Sequence, residues 1–251
     1  MIDKISIIMT FHNEGLLANY ALTGMSRLRK MSDLAGLSTE LICVLDNIDA
    51  DTRDIVINHS CMRSADIVEE VANGDLAASR NSGTARASGD FIAIVDGDDY
   101  YSDDWFIKAH MEMTKNRQAK LICHPEWVVS FGESHSLYKV LDQRNTEYPL
   151  PSLLKHHPWI SCSFGVRETY EKFPYRLVYH GRTGFAYEDW HWNLELLSYG
   201  YMHITAADTA LYYRRKKNSM LVTHNSSRGI IRPTHFFDRV DLWPKKFHIY
   251  E

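Results

Sequence analysis

Short apolar runs of strand length alternate with helical stretches through the first ~120 residues, and each strand-like run is cut off by a polar cluster; no other feature limits the possible folds as strongly. Ile5-Ser6-Ile7-Ile8-Met9 has the β-branched filling of a strand buried on both faces. A helix follows, with Leu16, Leu17, Tyr20, Ala21, Met25 and Leu28 at helical spacing and Arg27, Arg29 and Lys30 placed to meet the negative end of its dipole. The pattern repeats as a strand over Leu41 to Leu45, a short helix near 52–58, a strand at 67–71, a helix over 76–87 and a strand over 91–95. A helix over 105–115 and a strand near 121–123 extend it. This order predicts an α/β fold, a mostly parallel sheet flanked by helices with right-handed crossovers. Ligands of such sheets sit beyond the carboxyl ends of the strands. His12-Asn13-Glu14, Asp46 and Asp96 to Asp99 all fall at predicted strand ends, so three turns are expected to meet at one crevice.

The second half is less regular. Residues 126–187 are rich in aromatics, His and Pro, which suits a smaller, mixed, acceptor-facing region. A helix is expected over 189–199, with Gly200 as a left-handed cap. From Tyr212 on, a basic cluster mixes with loop-like sequence that assigns no element. The expected division is 1–125 for a donor-binding half and 126–251 for an acceptor and catalytic-base half of one domain. With 28 Lys+Arg against 32 Asp+Glu, a net charge of −4, no nucleic-acid partner is expected. Cys43, Cys61, Cys123 and Cys162 form no close pair, which suits reduced core residues in a reducing compartment. No apolar run reaches the length of a signal-peptide core or a membrane span. A cytoplasmic location is therefore expected, any membrane work being peripheral and at the inner face.

Asp96-Gly97-Asp98-Asp99 carries the strongest chemical signal. Three carboxylates within four residues repel one another unless a cation or hydrogen-bond donors offset them, and Mg²⁺ or Mn²⁺ shared with a phosphate would do so. The plainer alternative is a solvated acidic turn. Arg80, on the preceding helix, suits a forked contact with phosphate or a base carbonyl, although an Arg on a helix is more often a solvated charge.

Taken in order, Thr10-Phe11-His12-Asn13-Glu14, Asp46, Arg80-Asn81-Ser82-Gly83 and Gly89-Asp90 leading to Asp96-Gly97-Asp98-Asp99 resemble the family 2 glycosyltransferases of the GT-A, Rossmann-like fold. The resemblance implies a nucleotide-diphosphate-sugar pocket for a uridine nucleotide, lined by Thr10, His12, Glu14, Asp46, Arg80 and Gly97, with Asp96 near the ribose and Asp98 on a divalent metal. A Tyr usually stands where His12 is found. Tyr187-Glu188-Asp189-Trp190 matches the family's Glu-Asp pair, which implies Asp189 as general base with Glu188 beside it in the donor site. Alone, the pair would read as an acidic helix start. Tyr213 to Met220 resembles the late segment that closes over the diphosphate, placing Arg214 at the donor. The family's usual His, two residues after that Arg, is here Lys216, and a protonated Lys ligates no metal.

His156, His157 and His191 lack companions at zinc-ligand spacing and read as surface or acceptor-site histidines. Trp127, Trp159, Trp190 and Trp192 read as core residues as a group, with Trp159 and Trp190 the best placed of them for an acceptor cleft. The expected activity is inverting, metal-dependent hexosyl or N-acetylhexosaminyl transfer from a UDP-sugar to a saccharide or glycolipid hydroxyl, in bacterial cell-surface polysaccharide synthesis. A nucleotidyltransferase would want a Gly-rich basic loop where His12-Asn13-Glu14 stands, and a non-catalytic sugar-binding module is the other rival.

Overall fold

In the computed structural model, which describes residues 3–145, 150–217, 222 and 227–238, the predicted alternation becomes one continuous sheet. Its elements are β1 (Lys4–Phe11), α1 (Leu16–Leu34), β2 (Ser38–Asp46), α2 (Ala50–Asn58), β3 (Ile67–Val71), α3 (Leu76–Arg86), β4 (Phe91–Asp96) and β5 (Tyr100–Tyr101). They continue as α4 (Trp105–Thr114), β6 (Leu121–Gly132), β7 (Ser136–Lys139), β8 (Ser163–Val166), α5 (Arg167–Lys172), α6 (His180–Thr183), α7 (Glu188–Ser198) and β9 (Met202–Arg215). Single 3₁₀ turns lie at Leu150–Leu154 and His235–Asp238.

The strand order is β3-β2-β1-β4-β8-β6-β9-β5, with β7 paired to β6. β1 is buried from Ile5 to Phe11 and lies between β2 and β4, parallel to both, so the apolar run is covered on both faces as its composition demands. The tips at Phe11, Asp46 and Asp96 consequently point the same way. β8 enters antiparallel to β4 and joins it to the second half, where β6 and β9 run parallel. Residue 125, the expected boundary between halves, lies inside β6.

Two expectations change. α1 runs on to Leu34, so Arg29 is an interior residue of the helix and does not serve its dipole; it is 1% exposed and forks onto Asp66 at 2.6 and 2.8 Å. The sequence also hides most of β6 and all of β9. β6 carries His124, Pro125 and Glu126 with a register shift between Pro125 and Trp127, and β9 turns through Asp208 at φ 56°, so neither keeps a simple two-residue alternation. Of the late basic segment, Asn218 to Met220 lie outside the described residues. The four cysteines are buried and free, and no helix among the described residues is long and apolar enough to cross a membrane.

The Arg29–Asp66 pair ties α1 to the sheet, and Asp66 also accepts the Leu41 and Arg63 amides at 2.9 and 2.7 Å. Asp66→Ala strands a buried guanidinium and should cost about 3–5 kcal/mol. Urea unfolding of the variant measures this, and a loss below about 1 kcal/mol would contradict the role given to the pair.

Candidate active site

A cleft of about 1360 Å³ opens beyond the tips of β1, β2 and β4 and extends to the start of α7 and the end of β9. Thr10, His12, Glu14, Asp46, Arg80, Asp96, Gly97, Asp98, Trp159, Glu188, Asp189, Trp190 and Arg214, the residues expected at the site, all line it. Their roles differ from one to the next.

Asp46 shapes the wall. Its Oδ1 accepts the amides of Asn73 and Gly74 at 2.8 and 3.0 Å and the Asn47 side chain at 2.9 Å, while Oδ2 accepts the Ser79 hydroxyl at 2.9 Å. His12 is held against the same tip, Nδ1 lying 2.6 Å from the Asp46 carbonyl, and its amide donates to Glu14 at 2.6 Å. Burial, aided by the field of Asp98, raises the Glu14 carboxyl above its usual range. Gly97 is required by packing: a Cβ there would lie 2.6 Å from the Thr10 carbonyl and 2.5 Å from the Phe11 ring. The close approach that Gly97 allows is therefore to β1.

The three acids of the turn each have their own partner. Asp96 accepts Arg80 at 3.1 Å on one oxygen and the Ser161 hydroxyl at 2.7 Å on the other. Asp98 Oδ2 is paired with Lys216 Nζ at 2.5 Å. Asp99 is 2% exposed; Oδ1 accepts the Arg214 amide at 2.9 Å, and Oδ2 has no partner among the described residues. Burial, reinforced by Asp98 and Asp96, pushes the Asp99 carboxyl well above its usual range, which favours a neutral acid there. Charge at the turn is thus offset residue by residue.

A divalent ion fits this arrangement poorly. Among the described residues no group of three His, Cys, Asp or Glu could hold one. Asp98 would be its single carboxylate, and that carboxylate already holds an ammonium.

Arg80 is 0% exposed, and its guanidinium is engaged by protein groups in the cleft wall. Besides Asp96 it donates to Glu188 at 2.8 Å, and its guanidinium lies 5.4 Å from the Tyr175 ring centroid. One cation serves two carboxylates, one from each half of the chain. Burial raises Glu188 to about 7 although Arg80 pulls it down, and adjacent Asp189 pushes it further up. Arg214 is likewise held by the protein: Nη2 donates to the Tyr100 hydroxyl at 2.6 Å, and the guanidinium lies 4.6 Å from the Phe131 ring centroid.

Asp189 opens α7 directly after Tyr187, whose φ of 59° is a left-handed conformation costly for an aromatic residue. Its Oδ2 faces His157 Nδ1 at 3.8 Å. His157 Nε2 lies 2.8 Å from the Asn193 amide nitrogen, which donates to it, so the imidazole proton sits on Nδ1 and points at Asp189. His157 stacks on Trp190 at 5.7 Å, and burial lowers its pKa, consistent with a neutral ring. Trp159, 2% exposed, stacks on His203 at 4.1 Å and donates to the Leu141 carbonyl. Trp190 donates to the Leu153 carbonyl. Both indole N–H groups are therefore occupied, and Trp190 keeps the more accessible face.

Sequence reasoning missed Asp75, Ser161 and the position of His157. Asp75 caps α3 through Ala78 N and also accepts the amides of Val178 and Tyr179, at 2.9 and 2.6 Å. The cap was legible as an acid before a helical run, but its second task and the Ser161 contact cross 60 or more residues and leave no local trace.

The raised pKa of Glu188 has a sign. Its contribution to stability is full below the unfolded value near 4.5 and is lost as pH rises through about 7. Glu188→Gln should remove that slope, so the variant should gain on the wild type between pH 5 and pH 8 in paired urea midpoints. A constant difference across that range would contradict the assignment.

The model of Glycosyl transferase family 2 matches residues 6–149, more than half of the chain. The uncharacterized glycosyltransferase EpsJ of Bacillus subtilis (strain 168) is 30% identical over 117 residues, 47% of this chain and 32% of that protein. Among solved structures, S. aureus TarS 1-349 in complex with UDP-GlcNAc superposes with a TM-score of 0.66 at 15% identity, over 88% of this chain and 61% of that one. Its complex with UDP gives 0.63 at 15% identity, over 85% and 61%. The chain spans about a third of the curated relative and about three fifths of the TarS chain. The TarS likeness establishes a shared GT-A fold, and the family match identifies the chain as a member of glycosyltransferase family 2.

Proposed function

We infer that the protein transfers a sugar from a uridine-diphosphate sugar to an acceptor hydroxyl with inversion at the anomeric carbon. The observation that carries this reading is the placement of Asp189 in the same cleft as the strand-tip residues Asp96 and Asp98, on the wall built by α7. A sugar hydroxyl is a weak nucleophile and needs a carboxylate within hydrogen-bond reach as the new bond forms. Asp189 takes that proton. The hydroxyl oxygen bonds to the anomeric carbon while the bond to the diphosphate oxygen breaks, and the departing nucleotide keeps the electron pair. Attack from the side opposite the diphosphate inverts the centre.

Glu188, held by Arg80, orients the residue beside it. His157 lies beside the Asp189 carboxylate, Nδ1 3.8 Å from Oδ2, while Oδ1 accepts the Trp190 amide at 2.8 Å, so Oδ2 is the oxygen that meets the acceptor. The complex of TarS with UDP-GlcNAc supports a uridine donor carrying a hexose or an N-acetylhexosamine. Trp190 and the exposed ring of Tyr179, both on the cleft wall, offer apolar faces to a saccharide or glycolipid acceptor. Bacterial cell-surface polysaccharide synthesis is the setting this reading favours.

Asp189→Asn tests the reading. The turnover number should fall ~10²- to 10⁴-fold, while calorimetric affinity for uridine diphosphate stays within about twofold. Undiminished turnover would remove Asp189 from the role, and loss of nucleotide affinity would make it a donor-site residue.

A further inference from the structure

We propose that Lys216 takes the place of a divalent cation in this active site: its ammonium, anchored on Asp98, neutralises the donor's diphosphate, so that donor binding and transfer need no metal. The inference rests on the glycosyl-transfer reading above and concerns the same cleft.

It starts from the contacts of each charged side chain around the acidic turn. Arg80 is fully buried and shared between Asp96 and Glu188. Arg214 is stacked on Phe131 and donates to the Tyr100 hydroxyl. Arg215 lies with its guanidinium 4.6 Å from the Tyr213 ring centroid. Lys216 differs from all three. Its side chain is 32% exposed, it reaches into the cleft from the end of β9, and its one ion pair among the described residues is the 2.5 Å contact to Asp98 Oδ2. An ammonium carries three N–H donors, so one can stay on Asp98 while the others meet phosphate oxygens.

A divalent ion at the same place would meet two obstacles. Mg²⁺ and Mn²⁺ want several oxygen ligands, and here the second and third acids are engaged elsewhere: Asp96 with Arg80 and Ser161, Asp99 in a buried pocket with the Arg214 amide. Such an ion would also have to displace, or sit beside, a fixed positive charge already bonded to Asp98. The ammonium performs the electrostatic task that a metal otherwise performs. As the bond between the anomeric carbon and the diphosphate oxygen breaks, negative charge grows on the leaving group, and Lys216 donates hydrogen bonds to it; the acceptor proton goes to Asp189.

The test is a calorimetric titration of the full chain with uridine diphosphate, in EDTA and in Mn²⁺, for wild type, Lys216→Arg, Lys216→Ala and Lys216→Met, with thermal melting to confirm that each variant is folded. Initial transfer rates in EDTA accompany it. Wild-type affinity should agree within about twofold between the two buffers, Lys216→Arg should stay within about threefold, and Lys216→Ala and Lys216→Met should each lose at least about tenfold in EDTA. Added Mn²⁺ should restore part of that loss, because Asp98 is then free to ligate it. Wild-type binding that collapses in EDTA, or alanine and methionine variants that bind as wild type there, overturns the proposal and leaves the glycosyl-transfer reading standing. Absence of nucleotide binding in both buffers overturns the two together.

Discussion

The buried guanidinium of Arg80 is the contact on which the rest of the site depends. It rises from α3, lies between the tip of β4 and the start of α7, and bonds Asp96 at 3.1 Å and Glu188 at 2.8 Å. A charge with no solvent exposure is tolerated only when its partners are close and aligned, so the bridge fixes where the two carboxylates stand. Glu188 in turn fixes Asp189, its neighbour on the first turn of the helix. Residues 108 apart in sequence thereby acquire one geometry. Asp75 adds a second tie between the halves, capping α3 with one oxygen and binding the amides of Val178 and Tyr179 with the other.

The parallel sheet determines why this happens at one end of the molecule. β1, β2 and β4 run together, so their polar terminations emerge side by side, and Gly97 lets the β4 turn press against Thr10 without a side chain between them. Acids gathered in this way repel unless each is answered. Here Asp96 has a guanidinium and a hydroxyl, Asp98 an ammonium, and Asp99 an amide together with burial that favours its protonated form. The charge of Asp98 is coupled to a partly exposed cation on a long stem. That combination suits a ligand whose own charge changes during reaction.

The first four strands and the strand-tip site were legible in the sequence because local pattern determines them: buried runs, helical spacing and abrupt polar ends. β6 and β9 were not, since a register shift at Pro125 and the left-handed Asp208 break the alternation that would announce them. The residues that the family resemblance named line one cleft. The resemblance gave less guidance about what each touches. Arg80 and Arg214 look like phosphate ligands in a one-dimensional reading, yet the structure engages both with protein groups, and only long-range contacts reveal it. Lys216 is the opposite case: the departure from the usual His was visible, while its consequence needed the 2.5 Å contact with Asp98. His157 reads in the sequence as a surface or acceptor-site histidine, and its place beside Asp189 emerges only when α7 packs against the segment that carries it.

In the proposed reaction one cleft holds the diphosphate on the Lys216 side of the sugar and the proton acceptor on the other. A crystal structure of the protein with an unreactive uridine-diphosphate sugar analogue tests this most directly. The β-phosphate should lie within hydrogen-bond distance of Lys216 Nζ, and the anomeric carbon between that phosphate and the Asp189 carboxylate. A nucleotide bound outside the strand tips, or a sugar whose diphosphate and Asp189 share one face of the anomeric carbon, would contradict it.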